Sequence, residues 1–261
     1  MESGWNTMQL RQIYKGLKVC MPIIGYGGMV HAQYMTSMMN LVNSCSSLGI
    51  KIEAPTIWFE SLISRARNAS AAVALSSNCD YLFFVDTDII FDYRDFFKLV
   101  DADKDVTVGL YTKKYINERK LAALFKKFSQ LPSIWKSLVG DFSSELDENS
   151  NSDIIKVNYA ATGFMLIKTS VFKSIASKMP ELKYKNDIDA YQSYGDNFYD
   201  FFRCWVNPEN KKYESEDYGF CRNWKKCGGD IHAIPDINLI HRGNYCFEGN
   251  LQEQQKAFKQ V

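Results

Sequence analysis

The run Tyr81-Leu82-Phe83-Phe84-Val85 carries no polar group except the tyrosine hydroxyl. That pattern predicts a strand covered on both faces rather than one with a solvated side. Residues 18–24 form a shorter apolar run, broken by Pro22 and then by Gly25, Gly27 and Gly28, and predict a strand entering a loop. Over 30–48, Tyr34, Met38, Leu41, Val42 and Cys45 recur at helical spacing. Residues 50–58 are extended around Pro55, and a second helix is expected over 61–77. There Leu62, Ala66, Ala69 and Val73 share one stripe, with Arg65 and Asn68 on another. A short helix or turn at 95–100 and a strand at 106–111 follow. Such alternation predicts an α/β fold, a mainly parallel central sheet flanked by helices.

Beyond this the pattern changes. Residues 113–131 are basic and partly helical, and 140–153 are rich in Ser, Asn and acids, as in a flexible loop. A strand is expected at 157–167, a helix at 170–178 ending before Pro180, and a helix at 217–227 stopped by Gly228-Gly229. A short strand follows at 231–234, while 187–210 is aromatic and turn-rich without a clean period. No linker divides the chain, so one domain over 1–261 is expected, with a variable insertion at about 116–155.

Composition narrows the function. Hydrophobic residues make up 46%, with 17 Phe and 15 Tyr, enough for a large core. Lys and Arg number 31 against 30 Asp and Glu, so bulk charge gives no reason to propose nucleic acid or an acidic membrane as partner. The seven cysteines are scattered without a CxxC pair, and Cys221 and Cys227 match zinc spacing poorly; reduced, mostly buried thiols are expected. No stretch approaches the roughly 18–20 apolar residues of a membrane helix, and no secretory leader pattern is present, so the chain reads as cytoplasmic. Asn68-Ala69-Ser70 matches a glycosylation sequon but falls inside an expected helix.

The chemistry concentrates after the first buried strand. Asp86-Thr87-Asp88 places two carboxylates one residue apart at a strand's carboxyl end, where open α/β sheets bind ligands and where both can reach one hard cation. Two solvated turn aspartates give the same three letters, but hydrophobic residues on both sides, ending in Ile89-Ile90-Phe91, weigh toward a built site. Arg65 and Asn68, three apart on a helix, can act on one ligand, and the guanidinium fork suits a diphosphate or a uracil carbonyl. Glu216 and Asp217 open a helix with Ser215 at its N-cap, where acids are ordinary dipole partners. His241 follows the apolar Leu239-Ile240.

Taken in order, these stretches resemble the GT-A fold of nucleotide-diphospho-sugar transferases, in particular the compact single-domain glycosyltransferases of viruses and bacteria. The resemblance spans roughly residues 18–243, with the insertion unmatched. It rests on the Met21-Pro22 strand end, Ser64-Arg65-Ala66-Arg67-Asn68, Asp86-Thr87-Asp88, Thr162-Gly163-Phe164, and Ser215-Glu216-Asp217 with the later His241. It implies a metal-dependent, inverting transfer from a nucleotide-diphosphate sugar, with UDP as the expected nucleotide, to an acceptor hydroxyl. Mn²⁺ or Mg²⁺ would neutralise the leaving diphosphate. Asp86, Asp88 and His241 would form the metal site, with Asp88 the direct ligand and Asp86 holding the ribose or a metal-bound water beside Thr87. Pro22, Ile23 and Tyr26 would meet the base, Arg65, Asn68 and Arg242 the donor, and Gly163 the donor sugar or acceptor. Asp217, with Glu216 beside it, matches the element whose Asp deprotonates the acceptor. Tyr111, Lys113 and Lys114 would contact acceptor or phosphate. Two other readings stand beside this one. A phosphatase of the haloacid-dehalogenase type also places DxD after a hydrophobic strand, although Ile90 stands where it carries Thr or Val. The other is an inactive nucleotide-sugar-binding module.

Overall fold

The computed structural model describes residues 13–146 and 152–258. Tyr81–Val85 is a strand, and its side chains alternate between two cores. Leu82 and Phe84 enter one with Val106, Met165, Phe172 and Phe220; Phe83 and Val85 enter the other with Tyr34, Leu41, Phe96 and Phe164. The helices Thr169–Lys178 and Glu216–Lys226 cover the first face, and Ala32–Leu48 and Tyr93–Asp101 the second. Burial on both sides explains why the strand shows no apolar–polar alternation.

The α/β class and the helix-flanked sheet are as expected, but the sheet is mixed. Its eight strands run in the order Lys51–Glu53, Lys18–Cys20, Tyr81–Val85, Phe164–Lys168, Val106–Val108, Ile231–Ala233, Ile155–Ala160, Ser144–Leu146. Three neighbouring pairs are parallel and four antiparallel. The expectation of a mainly parallel sheet is corrected by Phe164–Lys168, which lies antiparallel between Tyr81–Val85 and Val106–Val108. The single strand expected over 157–167 is therefore two, Ile155–Ala160 and Phe164–Lys168, held apart in the sheet by two other strands. Periodicity could not reveal the break, because Ala161 and Gly163 interrupt no apolar pattern.

The expected flexible loop at 140–153 contains the edge strand Ser144–Leu146, while 147–151 fall outside the described residues. The helix Glu118–Lys127 is capped by Asn117, whose side chain accepts from the Arg119 and Lys120 amides. Leu124, Leu138 and Val139 of this region form a small core of their own, against Ala257 and Phe258 of the helix Leu251–Phe258. All seven cysteines are free and five are buried. Among the described residues no helix is long and apolar enough to cross a membrane.

Candidate functional site

Three local devices bring the site together. First, Asp86 closes the Tyr81–Val85 strand in a turn, with the Ile89 amide donating to its carbonyl at 2.9 Å. Ile89–Ile90 then pairs antiparallel with Ile240–Arg242, which pairs in turn with Cys246–Glu248. This three-stranded ribbon sets His241 opposite Ile89, and the Arg242 amide donates to the Asp88 carbonyl at 2.7 Å. A histidine 153 positions downstream thus reaches Asp88 by strand register.

Second, Gly163 permits close backbone approach. Its carbonyl accepts from the Asp86 amide at 3.0 Å, and its amide donates to the Tyr111 hydroxyl at 3.2 Å. A Cβ there would lie 2.4 Å from that hydroxyl and 2.7 Å from Asp86 Oδ2, so no larger residue fits without displacing one of them. Burial, with Asp86 adding, raises the Tyr111 phenol well above its ordinary pKa and keeps it protonated. Phe164 is core: its ring packs on Phe83 and Phe91.

Third, the helix Ile63–Ser76 is buried throughout residues 66–74, much of it alanine, which lets it lie close to the sheet. Arg67 sits inside that run, 4% exposed, with its guanidinium 5.1 Å from the centre of the Phe84 ring. Its Nη2 donates to Asp86 Oδ1 at 3.2 Å and its Nε lies 3.5 Å from Glu216 Oε1. The latter is a charge contact without hydrogen-bond geometry, and Nε and Nη1 are both buried without a hydrogen-bond partner. Burial opposes the Arg67 charge, but Asp86 and Glu216 outweigh it. Burial also raises Glu216 above the usual carboxylate range; Arg67 pulls it back and Asp217 and Asp86 push it further up.

Asp88 has a different neighbourhood. Lys114 Nζ donates to Oδ2 at 2.5 Å, and His241 Nε2 lies 3.5 Å from the same oxygen. Burial disfavours the Asp88 charge, yet the His241 and Lys114 contacts more than offset it and hold the carboxyl at about 2. The other His241 nitrogen, Nδ1, lies 2.8 Å from the Thr112 carbonyl oxygen. A carbonyl only accepts, so Nδ1 carries the proton. That bond turns Nε2 toward Asp88, the arrangement that orients metal-binding histidines.

Asp217 Oδ1 accepts from the Tyr218 amide at 2.8 Å and from the Ser215 hydroxyl. Ser215 stands at the N-cap of Glu216–Lys226 as expected, but its hydroxyl turns to Asp217 instead of capping the helix. Oδ2 of Asp217 has no hydrogen bond to a described residue.

The remaining predicted residues are dispersed. Arg65 is clamped by Glu60 through Nε at 2.7 Å and Nη2 at 2.8 Å, and Tyr191 joins Glu60 at 3.1 Å. Asn68 is buried, donating to Asp200 Oδ1 at 2.9 Å and accepting from the Phe202 amide at 2.9 Å, which also leaves the sequon inaccessible. Arg65 and Asn68 therefore serve separate partners. Pro22 is buried, the Ile23 amide donates to the Pro55 carbonyl, and Tyr26 is exposed on the turn Tyr26–Gly28. The Thr87 carbonyl accepts from the His31 amide at 3.2 Å, and Arg242 Nη1 contacts Cys246 Sγ at 3.2 Å. Arg67 is the residue that sequence reasoning passed over. Its signal was the alanine-rich run around it, since a charge buried in such a helix needs an anionic partner.

No protein-family model matches the chain, and no curated protein matches it. Among solved structures, A197 from STIV is similar at 14% identity and a TM-score of 0.47, over 90% of this chain and 95% of that one. A 4-diphosphocytidyl-2C-methyl-D-erythritol synthase from Anaerococcus prevotii is similar at 8% identity and 0.34, over 67% and 81%. A mycobacterial protein follows at 11% and 0.31, over 83% and 89%. At these scores the reading of the site rests on its own geometry.

Proposed function

We propose that the chain is a metal-dependent glycosyltransferase of the GT-A kind, moving a sugar from a nucleotide-diphosphate sugar, expected to be a UDP-sugar, to an acceptor hydroxyl with inversion. One observation carries the reading: with Nδ1 on the Thr112 carbonyl, His241 turns Nε2 to Asp88 Oδ2 at 3.5 Å, a pair that a shared proton or a divalent cation can join. Among the described residues no group of three or more His, Cys, Asp or Glu is arranged to hold a metal. The pair would therefore suit a divalent cation such as Mg²⁺ or Mn²⁺ that is held in part by a nucleotide diphosphate. Bound there, such an ion would supply charge neutralisation to the departing diphosphate.

The chain's own residues do the rest. Asp88 and His241 would hold the cation, and Lys114, now paired with Asp88, stands near enough to offer its ammonium to a phosphate oxygen. Arg67 fixes Asp86 and Glu216 in one geometry, and Gly163 keeps the backbone low beside Asp86. Asp217 accepts the proton of the attacking hydroxyl on Oδ2, while Ser215 and Tyr218 hold Oδ1. Arg65 and Asn68 take no part in this version of the site; Arg67 replaces them. Replacing Asp217 with Asn is expected to lower turnover about 100-fold or more while Mn²⁺-dependent UDP binding persists. Undiminished turnover by the variant would place the base elsewhere.

A further inference from the structure

At Tyr218, the residue after Asp217, the structure holds a cleft of about 620 Å³ that the donor site does not use. It lies between the sheet edge, Ser144–Leu146 with Ile155–Ala160, and the outer face of Glu216–Lys226, and Tyr218 leads into it. The Tyr218 amide is the one that holds Asp217 Oδ1. Among the described residues lining it none is aliphatic. Tyr159 and Tyr218 form a ring pair, 4.2 Å between centroids, and Tyr213 is 70% exposed nearby. Four cations, Lys212, Arg222, Lys225 and Lys226, face two anions, Glu145 and Glu214.

That inventory is built rather than incidental. Glu214 is 5% exposed and accepts from Arg222 Nη2 at 2.6 Å and from Asn207 Nδ2 at 3.0 Å, so its charge is consumed inside the wall. Lys225 donates to Asn158 at 2.9 Å, and Lys226 lies 4.8 Å over the Trp205 ring. Lys212 makes no side-chain hydrogen bond or ion pair with a described residue. The cleft therefore presents excess positive charge and aromatic faces, with nothing to receive a lipid chain.

We propose that this cleft binds the acceptor, and that the acceptor is an anionic saccharide. Its ring packs against the tyrosines, its carboxylate or sulfate meets the lysines, and its free hydroxyl projects toward Asp217. The role as acceptor rests on the glycosyltransferase reading; the binding itself does not. The test is calorimetric titration of a uronate-containing disaccharide, neutral lactose and inorganic sulfate into the full chain. Lys212→Glu with Lys225→Glu, both exposed positions, is run alongside, with circular dichroism to verify folding. Expected are at least tenfold tighter binding of the acidic disaccharide than of lactose or sulfate, and at least tenfold loss in the double variant. Equal binding of lactose, equal binding of sulfate, or an unaffected double variant overturns the assignment. A thermal shift with UDP and Mn²⁺ on the same samples separates the two ideas. A donor shift without saccharide binding removes the cleft alone. Saccharide binding without a donor shift keeps the ligand class and removes the acceptor role.

Discussion

Asp86 and Asp88 lie one residue apart, yet each has its own cation, and the cations differ in kind. Asp86 faces Arg67, whose side chain is 5% exposed and packed on Phe84. Asp88 faces Lys114, whose side chain is 40% exposed, together with a histidine whose Nε2 lies 3.5 Å from it. A buried guanidinium leaves its carboxylate only at the cost of an uncompensated charge, whereas an exposed ammonium can return to water for about 1 kcal/mol or less. The two halves of one DxD motif therefore divide the work. Asp86 belongs to the scaffold that also fixes Glu216, and Asp88 is the carboxylate a ligand can take over.

The strongest way to break this comparison is to remove the scaffold cation. Arg67→Met leaves Asp86 and Glu216 facing each other without a partner, and Asp86 is one-third exposed. A loss of about 3 kcal/mol is expected, the low end for a broken buried pair, read as a lower urea midpoint. A change under 1 kcal/mol would mean that Arg67 is not what holds the two carboxylates.

The next effect is smaller and depends on pH. Because the folded Asp88 pKa is depressed to about 2, its contribution to stability is fully present above the unfolded value and is lost as pH falls through that range. The stability difference between the wild type and Asp88→Asn is expected to be about 1–2 kcal/mol at neutral pH, after discounting for solvent screening. It should shrink between pH 4 and pH 2. A difference constant across that window would show that Asp88 is not held by its cations.

The smallest effect sharpens the contrast within one helix. Arg65→Gln weakens the clamp on the buried Glu60 side chain, which keeps the Leu62 amide and the Tyr191 hydroxyl, and is expected to cost about 1 kcal/mol, with metal-dependent nucleotide binding unchanged. Lost nucleotide binding in that variant would return Arg65 to the donor site.

The elements around the site were legible because their signals are local. Tyr81–Val85, both long N-terminal helices and Glu216–Lys226 fall within two residues of where periodicity and glycine stops put them. Gly163 was singled out only through the resemblance, inside one expected strand over 157–167, whereas it lies just before Phe164–Lys168 with its carbonyl on the Asp86 amide. What escaped was pairing at a distance. The antiparallel insertion of Phe164–Lys168 and the ribbon that brings His241 to Asp88 depend on strand register, which the hydrophobic pattern of one strand does not encode. Arg67, and not the expected Arg65, is the arginine that reaches Asp86. Helical spacing alone favoured the arginine sharing a stripe with Asn68, whereas the alanines around Arg67 decide which one lies against the sheet.

The central claim is that Asp88 and His241 hold a divalent cation on a nucleotide diphosphate. It is tested most directly by calorimetric titration of UDP into the wild type, Asp88→Asn and His241→Ala, each with Mn²⁺ and again after EDTA. The account predicts binding by the wild type only with Mn²⁺, and at least tenfold weaker binding in both variants. UDP binding that survives EDTA, or that is unchanged in His241→Ala, would contradict it.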